Sequence, residues 1–161
     1  MAEQKLEKAT FGAGCFWGVQ EAYRKMKGVV ATRVGYLGGE KDSPTYEEVC
    51  SGKTGHTEVV EVEYDPSLIS YDDLLHVFWN VHDPTFPAKT QYQSVIFYHS
   101  PKQEAAARAS KERIEKSDFF QRDILTKILP VQKFHEAEEY HQYFLQKRAP
   151  QNFPRSISKK T

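Results

Sequence analysis

The chain has 161 residues, of which 39% are hydrophobic, 13% aromatic and 27% charged, a profile that predicts one globular domain large enough for its own core. Its 22 Lys plus Arg balance its 22 Asp plus Glu, so charge makes no case for a nucleic-acid partner or an anionic membrane surface. No apolar run reaches the ~18 residues of a membrane span, and the opening MAEQKLEKAT holds no apolar signal core, which makes a cytoplasmic location the expectation.

Taken in order, residues 8–11 predict a short strand running into the turn GAG. Phe16, Val19, Ala22, Tyr23 and Met26 recur at helical spacing, so 16–27 reads as an amphipathic helix stopped by Gly28. Residues 29–36 read as a strand, and LGGEKDSP is turn-rich. The segment TYEEVCSGKTGH is ambiguous, with at most one helical turn before Gly52. Residues 57–64 alternate as a strand with Val60, Val62 and Tyr64 on one face. Ser70 caps a helix through Asn80 that turns Leu74, Leu75, Phe78 and Trp79 to the core. After the loop HDPTFPAKTQ come a strand at 93–98 and a helix from Ser100 to about Ser117, opened by Ser-Pro-Lys-Gln. Residues 128–134 suit an edge strand because Pro130 cannot donate to a ladder. A last helix over 136–147 places Ala137, Tyr140 and Phe144 on one side, with Pro150 beyond it. This order predicts an α+β fold, a two-layer α/β sandwich on a mixed, largely antiparallel sheet with a ferredoxin-like core. It spans 1–161 as a single domain, with a short flexible N-terminus (1–7) and a C-terminal tail (149–161).

Two cysteines, Cys15 and Cys50, are too few for a disulfide framework. Cys15 stands where a strand and turn enter a helix, so backbone N–H groups and the positive helix end favour its thiolate. Gly14 and Gly18 leave the sulfur approachable. Phe16 and Trp17 point about 100° apart on a helix, so at most one faces the core fully and the other can line a pocket. Cys50 is either an idle loop thiol or one that condenses with an oxidised Cys15. Glu58 is either an ordinary surface glutamate or, if apolar rings cover it, a general acid with a raised pKa. Tyr46 and Tyr92 are candidate hydroxyl donors whose commoner role is in a core. No ligand spacing points to a metal, and neither a P-loop nor a dinucleotide fingerprint is present. No cofactor is expected.

GCFWG (14–18), GYLGG (35–39), PTYEEVCSGKTGHTE (44–58), VEYDPSLISYDDLL (62–75), HDPT (82–85), QYQSVIFY (91–98) and AEEYHQYFL (137–145) resemble, in this order, the peptide methionine sulfoxide reductase A family. The resemblance covers roughly residues 8–148. It implies that Cys15 is the nucleophile, that Phe16 and Trp17 hold the sulfoxide methyl group, and that Glu58 is the proton donor. It further implies that Tyr46 and Tyr92 hydrogen-bond the sulfoxide oxygen. The implied reaction converts the S epimer of methionine sulfoxide, free or in proteins, to methionine, leaving a sulfenic acid on Cys15. A second thiol then forms a disulfide, and thioredoxin or a similar dithiol reopens it. Neither nucleic acid nor membrane is an expected partner, and a monomer is expected.

The chain departs from that family mildly at Thr57, where an Ala is usual, and at Gln93, where an Arg is usual, and more strongly in two further places. A longer segment, with an acidic residue, usually separates HDPT from the next tyrosine; here it is FPAK (86–89), which predicts weaker positioning or a compensating residue. The tail APQNFPRSISKKT lacks the recycling cysteines many members carry, so Cys50 is the one internal resolving thiol available. The competing expectations are another thiol enzyme of peroxidase type, and a catalytically weakened binding member.

Overall fold

The computed structural model describes residues 5–39, 44–52 and 54–148. The tail with Pro150, the first four residues and part of the LGGEKDSP turn lie outside the described residues. The described strands form one mixed six-stranded sheet in the order β5-β4-β1-β3-β2-β6. Its members are β1 (Glu7–Ala13), β2 (Val29–Leu37), β3 (Thr57–Tyr64), β4 (Ser94–Tyr98), β5 (Lys127–Pro130) and β6 (His135–Glu136). All pairings are antiparallel except that of β4 with β5. Among the described residues five α-helices accompany it: α1 (Phe16–Arg24), α2 (Tyr46–Cys50), α3 (Tyr71–Asn80), α4 (Pro101–Lys116) and α5 (Phe144–Arg148). The fold is α+β, as expected. Among the described residues no helix is long and apolar enough to cross a membrane.

Strand alternation decides which side chains meet the helices. Ala9, Phe11 and Ala13 of β1 and Val60, Val62 and Tyr64 of β3 share one core with Val19 and Tyr23 of α1, Leu74, Phe78 and Trp79 of α3, and Ala107 of α4. Phe11 is its hub, stacked on Tyr23 at 5.2 Å and tilted against Phe78 at 5.5 Å between centroids. Burying each such ring contributes roughly 1.5–3 kcal/mol. The opposite face is smaller: Leu37, Val59, Val95 and Phe97, covered by Val131 and Phe134. Where the two clusters lie back to back, around the start of β3, both faces of the sheet are covered and a polar residue such as Glu58 is buried.

The caps account for the helix starts. Thr45 accepts from the Glu48 N–H while the Glu48 carboxylate accepts from the Thr45 N–H, a capping box that turns the ambiguous 46–50 segment into α2. Ser70 and Asp73 do the same for α3. The expected helix over 16–27 ends earlier, at Arg24, because the Met26 and Val29 N–H groups turn back to the Tyr23 and Met26 carbonyls and Gly28 takes φ +102°. The edge strand at Pro130 is present as β5, though only over 127–130, and Phe134 leaves it to cover the sheet.

The expected last helix over 136–147 is not continuous. Residues 135–136 pair with β2 as β6, a 3-10 turn spans Glu139–His141, and α5 begins only at Phe144. The Ala137 N–H donates to the Val34 carbonyl at 2.9 Å. Gln142 imitates a strand partner: its Oε1 accepts from the Val34 N–H at 3.0 Å, and its Nε2 donates to the carbonyls of Val34 at 2.9 Å and Ala137 at 3.0 Å. These bonds to β2 displace the i to i+4 ladder, and Tyr143 at φ 54° breaks what remains. Tyr140 accordingly faces solvent, 58% exposed, while Ala137 is buried.

Gly35 is what lets this segment approach β2. A Cβ there would meet the His135 carbonyl oxygen and come within 2.6 Å of the Phe134 ring. Gly35→Ala is therefore expected to cost ~1–3 kcal/mol of stability, read as a lower urea midpoint, and to lower turnover by shifting residues 135–142.

Candidate active site

β1, the third strand of the sheet order, delivers the thiol. It ends at Ala13, Gly14 turns the chain at φ +91°, and Cys15 is the exposed N-cap of α1. Backbone N–H groups and the positive helix end were expected to favour the thiolate. The N–H groups of Trp17 and Gly18 do pull the thiol pKa down, but burial and the charge of Glu58 outweigh them and hold it above its ordinary value.

Glu58 is no surface glutamate. It lies opposite Tyr36 in the β2–β3 ladder and is 1% exposed. Its Oε1 accepts from the Phe16 N–H at 3.2 Å and its Oε2 from Gln91 Nε2 at 2.5 Å. Burial pushes its pKa up to about 7, against the opposing pull of Gln91, the Phe16 N–H and Lys89. The carboxyl therefore gains and loses a proton near neutrality, beside the sulfur whose acidity it alters.

Gln91 Nε2 also donates to Cys50 Sγ at 3.2 Å. The Tyr46 phenol, on the first turn of α2, interacts electrostatically with both the Cys50 thiol and the Tyr92 phenol, the latter closing the 3-10 turn Thr90–Tyr92. Both phenols have raised pKa values, burial being the main cause for each, with Cys50 next for Tyr46 and the Glu58 charge next for Tyr92. They stay protonated and able to donate. The structure thus brings Cys15, Glu58, Tyr46, Tyr92 and Cys50 into one contact network, joined by a glutamine that sequence reasoning missed although it precedes Tyr92.

The two aromatics after the thiol divide their work. Phe16 is 1% exposed, against Tyr36 at 5.8 Å and His141 at 5.2 Å. Trp17 is half-buried, stacked on Phe144 at 3.8 Å, and donates Nε1–H to His141 Nδ1 at 2.9 Å. Tyr46 packs on the same imidazole at 4.4 Å. His141 can accept this bond because burial lowers its pKa and keeps it neutral. No carboxylate comes from residues 86–89. An acid does enter from the other side: Glu138 accepts from the Tyr36 hydroxyl at 2.7 Å and from the Tyr46 N–H at 2.9 Å, anchoring the turn that carries Tyr46. Burial pushes the Glu138 pKa up, and these donors outweigh it. Glu138, His141 and Phe144 were missed as site residues because AEEYHQYF reads as a helix when its long-range bonds are not known. Among the described residues, no group of three or more His, Cys, Asp or Glu is placed to hold a metal.

The peptide methionine sulfoxide reductase family model matches residues 7–161. The chain belongs to this family. It is 57% identical to "Peptide methionine sulfoxide reductase MsrA" of Methanoculleus marisnigri, with 91% of this chain and 93% of that protein covered. Reduced Mxr1 of Saccharomyces cerevisiae superposes with a TM-score of 0.83 at 37% identity, covering 94% of this chain and 90% of that one. Mxr1 in complex with Trx2 gives 0.65 at 29% identity, covering 87% and 86%.

The geometry predicts a pH profile with a definite sign. On the roles that the family resemblance implies for Cys15 and Glu58, oxygen transfer uses one proton shared by the two. Below about pH 7 both groups hold theirs, because the Glu58 pKa is about 7 and that of Cys15 is above its ordinary value. The single-turnover rate of methionine formation should therefore rise as pH passes about 7 and fall again where Cys15 itself ionises. Glu58→Gln should abolish the lower limb and slow the step by about 10²–10⁴-fold. Gln91→Leu removes a donor that lowers the Glu58 pKa, so rapid-quench measurements should find that limb moved to higher pH.

Proposed function

We propose that this chain reduces methionine S-sulfoxide, free or in proteins, with Cys15 taking the oxygen and Glu58 carrying the proton. The observation that carries the reading is the buried Glu58, tuned to about 7 beside the Cys15 thiol. In its ionised form Glu58 takes the Cys15 proton. The thiolate attacks the electrophilic sulfur of the sulfoxide, and Glu58 returns the proton to the sulfoxide oxygen. Tyr46 and Tyr92 donate to that oxygen as its charge grows. The methionine S–O bond breaks, an S–OH bond forms on Cys15, and methionine leaves. Two electrons pass from the thiol to the sulfoxide, and no proton is gained or lost overall. Trp17, braced by His141 and Phe144, and Phe16 behind it form the slot for the methyl group.

Cys50 completes the cycle. Its thiol attacks the sulfenic sulfur, water leaves and a Cys15–Cys50 disulfide forms, which a thioredoxin-type dithiol reduces with transfer of its own two electrons. The supporting facts are the contacts of Cys50 with Gln91 and Tyr46 and the Mxr1–Trx2 complex. The β1–α1–β2–β3–α3–β4 core, with strands in the order 4-1-3-2, supports reading the core as ferredoxin-like.

Intact-protein mass after mixing reduced enzyme with each epimer of methionine sulfoxide tests both steps. The S epimer alone should remove two hydrogens and release one methionine. Cys50→Ser should instead gain one oxygen and stop after one methionine per enzyme. Full thioredoxin-driven turnover in that variant would remove Cys50 from the cycle, and no methionine from the parent enzyme would overturn the reductase reading.

A further inference from the structure

A cleft of about 320 Å³ opens beside the thiol, running from Gly14 past Tyr92 to Ala88 and Phe86. That volume lies at the lower end for ligand sites, enough for one or two side chains. Of its polar groups, His82 and Ser94 are engaged and Asp83 is engaged through one carboxylate oxygen. The Asp83 carboxylate accepts from the Thr85 N–H at 2.9 Å and from the Thr85 hydroxyl at 2.6 Å. His82 is bonded to the Phe78 carbonyl at 2.8 Å and to the Ser94 hydroxyl at 2.7 Å, and Ser94 in turn to Thr126 at 2.7 Å. The Lys89 ammonium rests 5.3 Å from the centroid of the Tyr92 ring. What remains for a visitor is apolar: the Phe86 ring, 65% exposed, Ala88, and the Tyr92 ring. The floor at Gly14 is bare, and a Cβ there would meet nothing within 4 Å.

An exposed aromatic on a shortened segment needs a reason. The Phe86 backbone is held in place: its N–H donates to the Asp83 carbonyl at 3.3 Å, its carbonyl accepts from the Ala88 N–H at 2.9 Å, and Pro87 stiffens the bend between them. The segment that presents the ring is thus already ordered before anything packs on it. The cleft adjoins the candidate centre, because Gly14 on its floor precedes Cys15 and Tyr92 on its wall interacts electrostatically with Glu58 and Cys15. A polypeptide with its methionine sulfoxide at Cys15 advances about 3.5 Å per extended residue, so the neighbouring residue reaches the cleft.

We infer that this cleft is a specificity subsite that seats an apolar side chain flanking the methionine sulfoxide of an oxidised polypeptide, with Phe86 as its main contact. The inference rests on the reductase reading and names the substrate class that site prefers. It also places the FPAK segment in substrate selection rather than in proton transfer.

Capped tripeptides with methionine S-sulfoxide at the centre, flanked on one side or the other by Leu, Ser, Asp or Lys, test it, with free methionine S-sulfoxide run in parallel. For the wild type, kcat/KM should favour Leu over Ser by about tenfold on one side, with Asp and Lys no better than Ser. Phe86→Ser should collapse that preference and lower the ratio of Leu-peptide to free amino-acid kcat/KM by a similar factor. Equal kcat/KM across the flanks, a preference for Asp drawn by Lys89, or a preference that survives Phe86→Ser would each overturn the subsite while turnover of the free amino acid still upholds the reductase reading. Failure of every substrate, the free amino acid included, would overturn both.

Discussion

The site depends on one buried carboxyl. Glu58 occupies the second position of a strand covered on both faces, where an ionised group is costly unless donors meet it. Two meet it here, the Phe16 N–H at the start of α1 and the Gln91 side chain from the 3-10 turn before β4. They are not enough to restore an ordinary acidity, and the remaining imbalance leaves Glu58 able to gain and lose a proton near neutrality. The same carboxyl raises the thiol pKa. The resting pair is thereby biased toward a protonated sulfur, which is the less reactive form toward stray oxidants.

Around that pair the protein spends its sheet edge on positioning. The segment from His135 to Gln142 pairs with β2, and Gln142 makes three hydrogen bonds to hold it there. In return the segment places Glu138 under α2 and His141 beneath Trp17. Tyr46 and Trp17, on two different helices, are both braced by it. Residues 86–89 carry no acid, Glu138 brings one to the turn that carries Tyr46, and the 86–89 segment presents Phe86 to solvent.

The elements themselves were largely legible. β3 and α3 follow their alternation and caps residue for residue, because their side chains obey one local period and one local start signal. The 46–50 turn was legible only in part, since its capping box competes with neighbouring glycines. The 136–147 stretch was misread for a physical reason: Ala137, Tyr140 and Phe144 have helical spacing, but the hydrogen bonds that decide its shape run to Val34, more than a hundred positions away in the chain.

What the sequence determined by itself is the chemistry available: a cysteine at the mouth of a helix, two aromatics behind it, a glutamate entering a strand, a second thiol and two tyrosines. Those are properties of residue type and short spacing. Tertiary structure alone decided which of them work together and in what ionisation state. Acidity depends on burial and on donors drawn from distant segments, so the elevated pKa of Glu58, the raised Cys15 thiol, the link through Gln91 and the brace by His141 exist only once the sheet has closed around them.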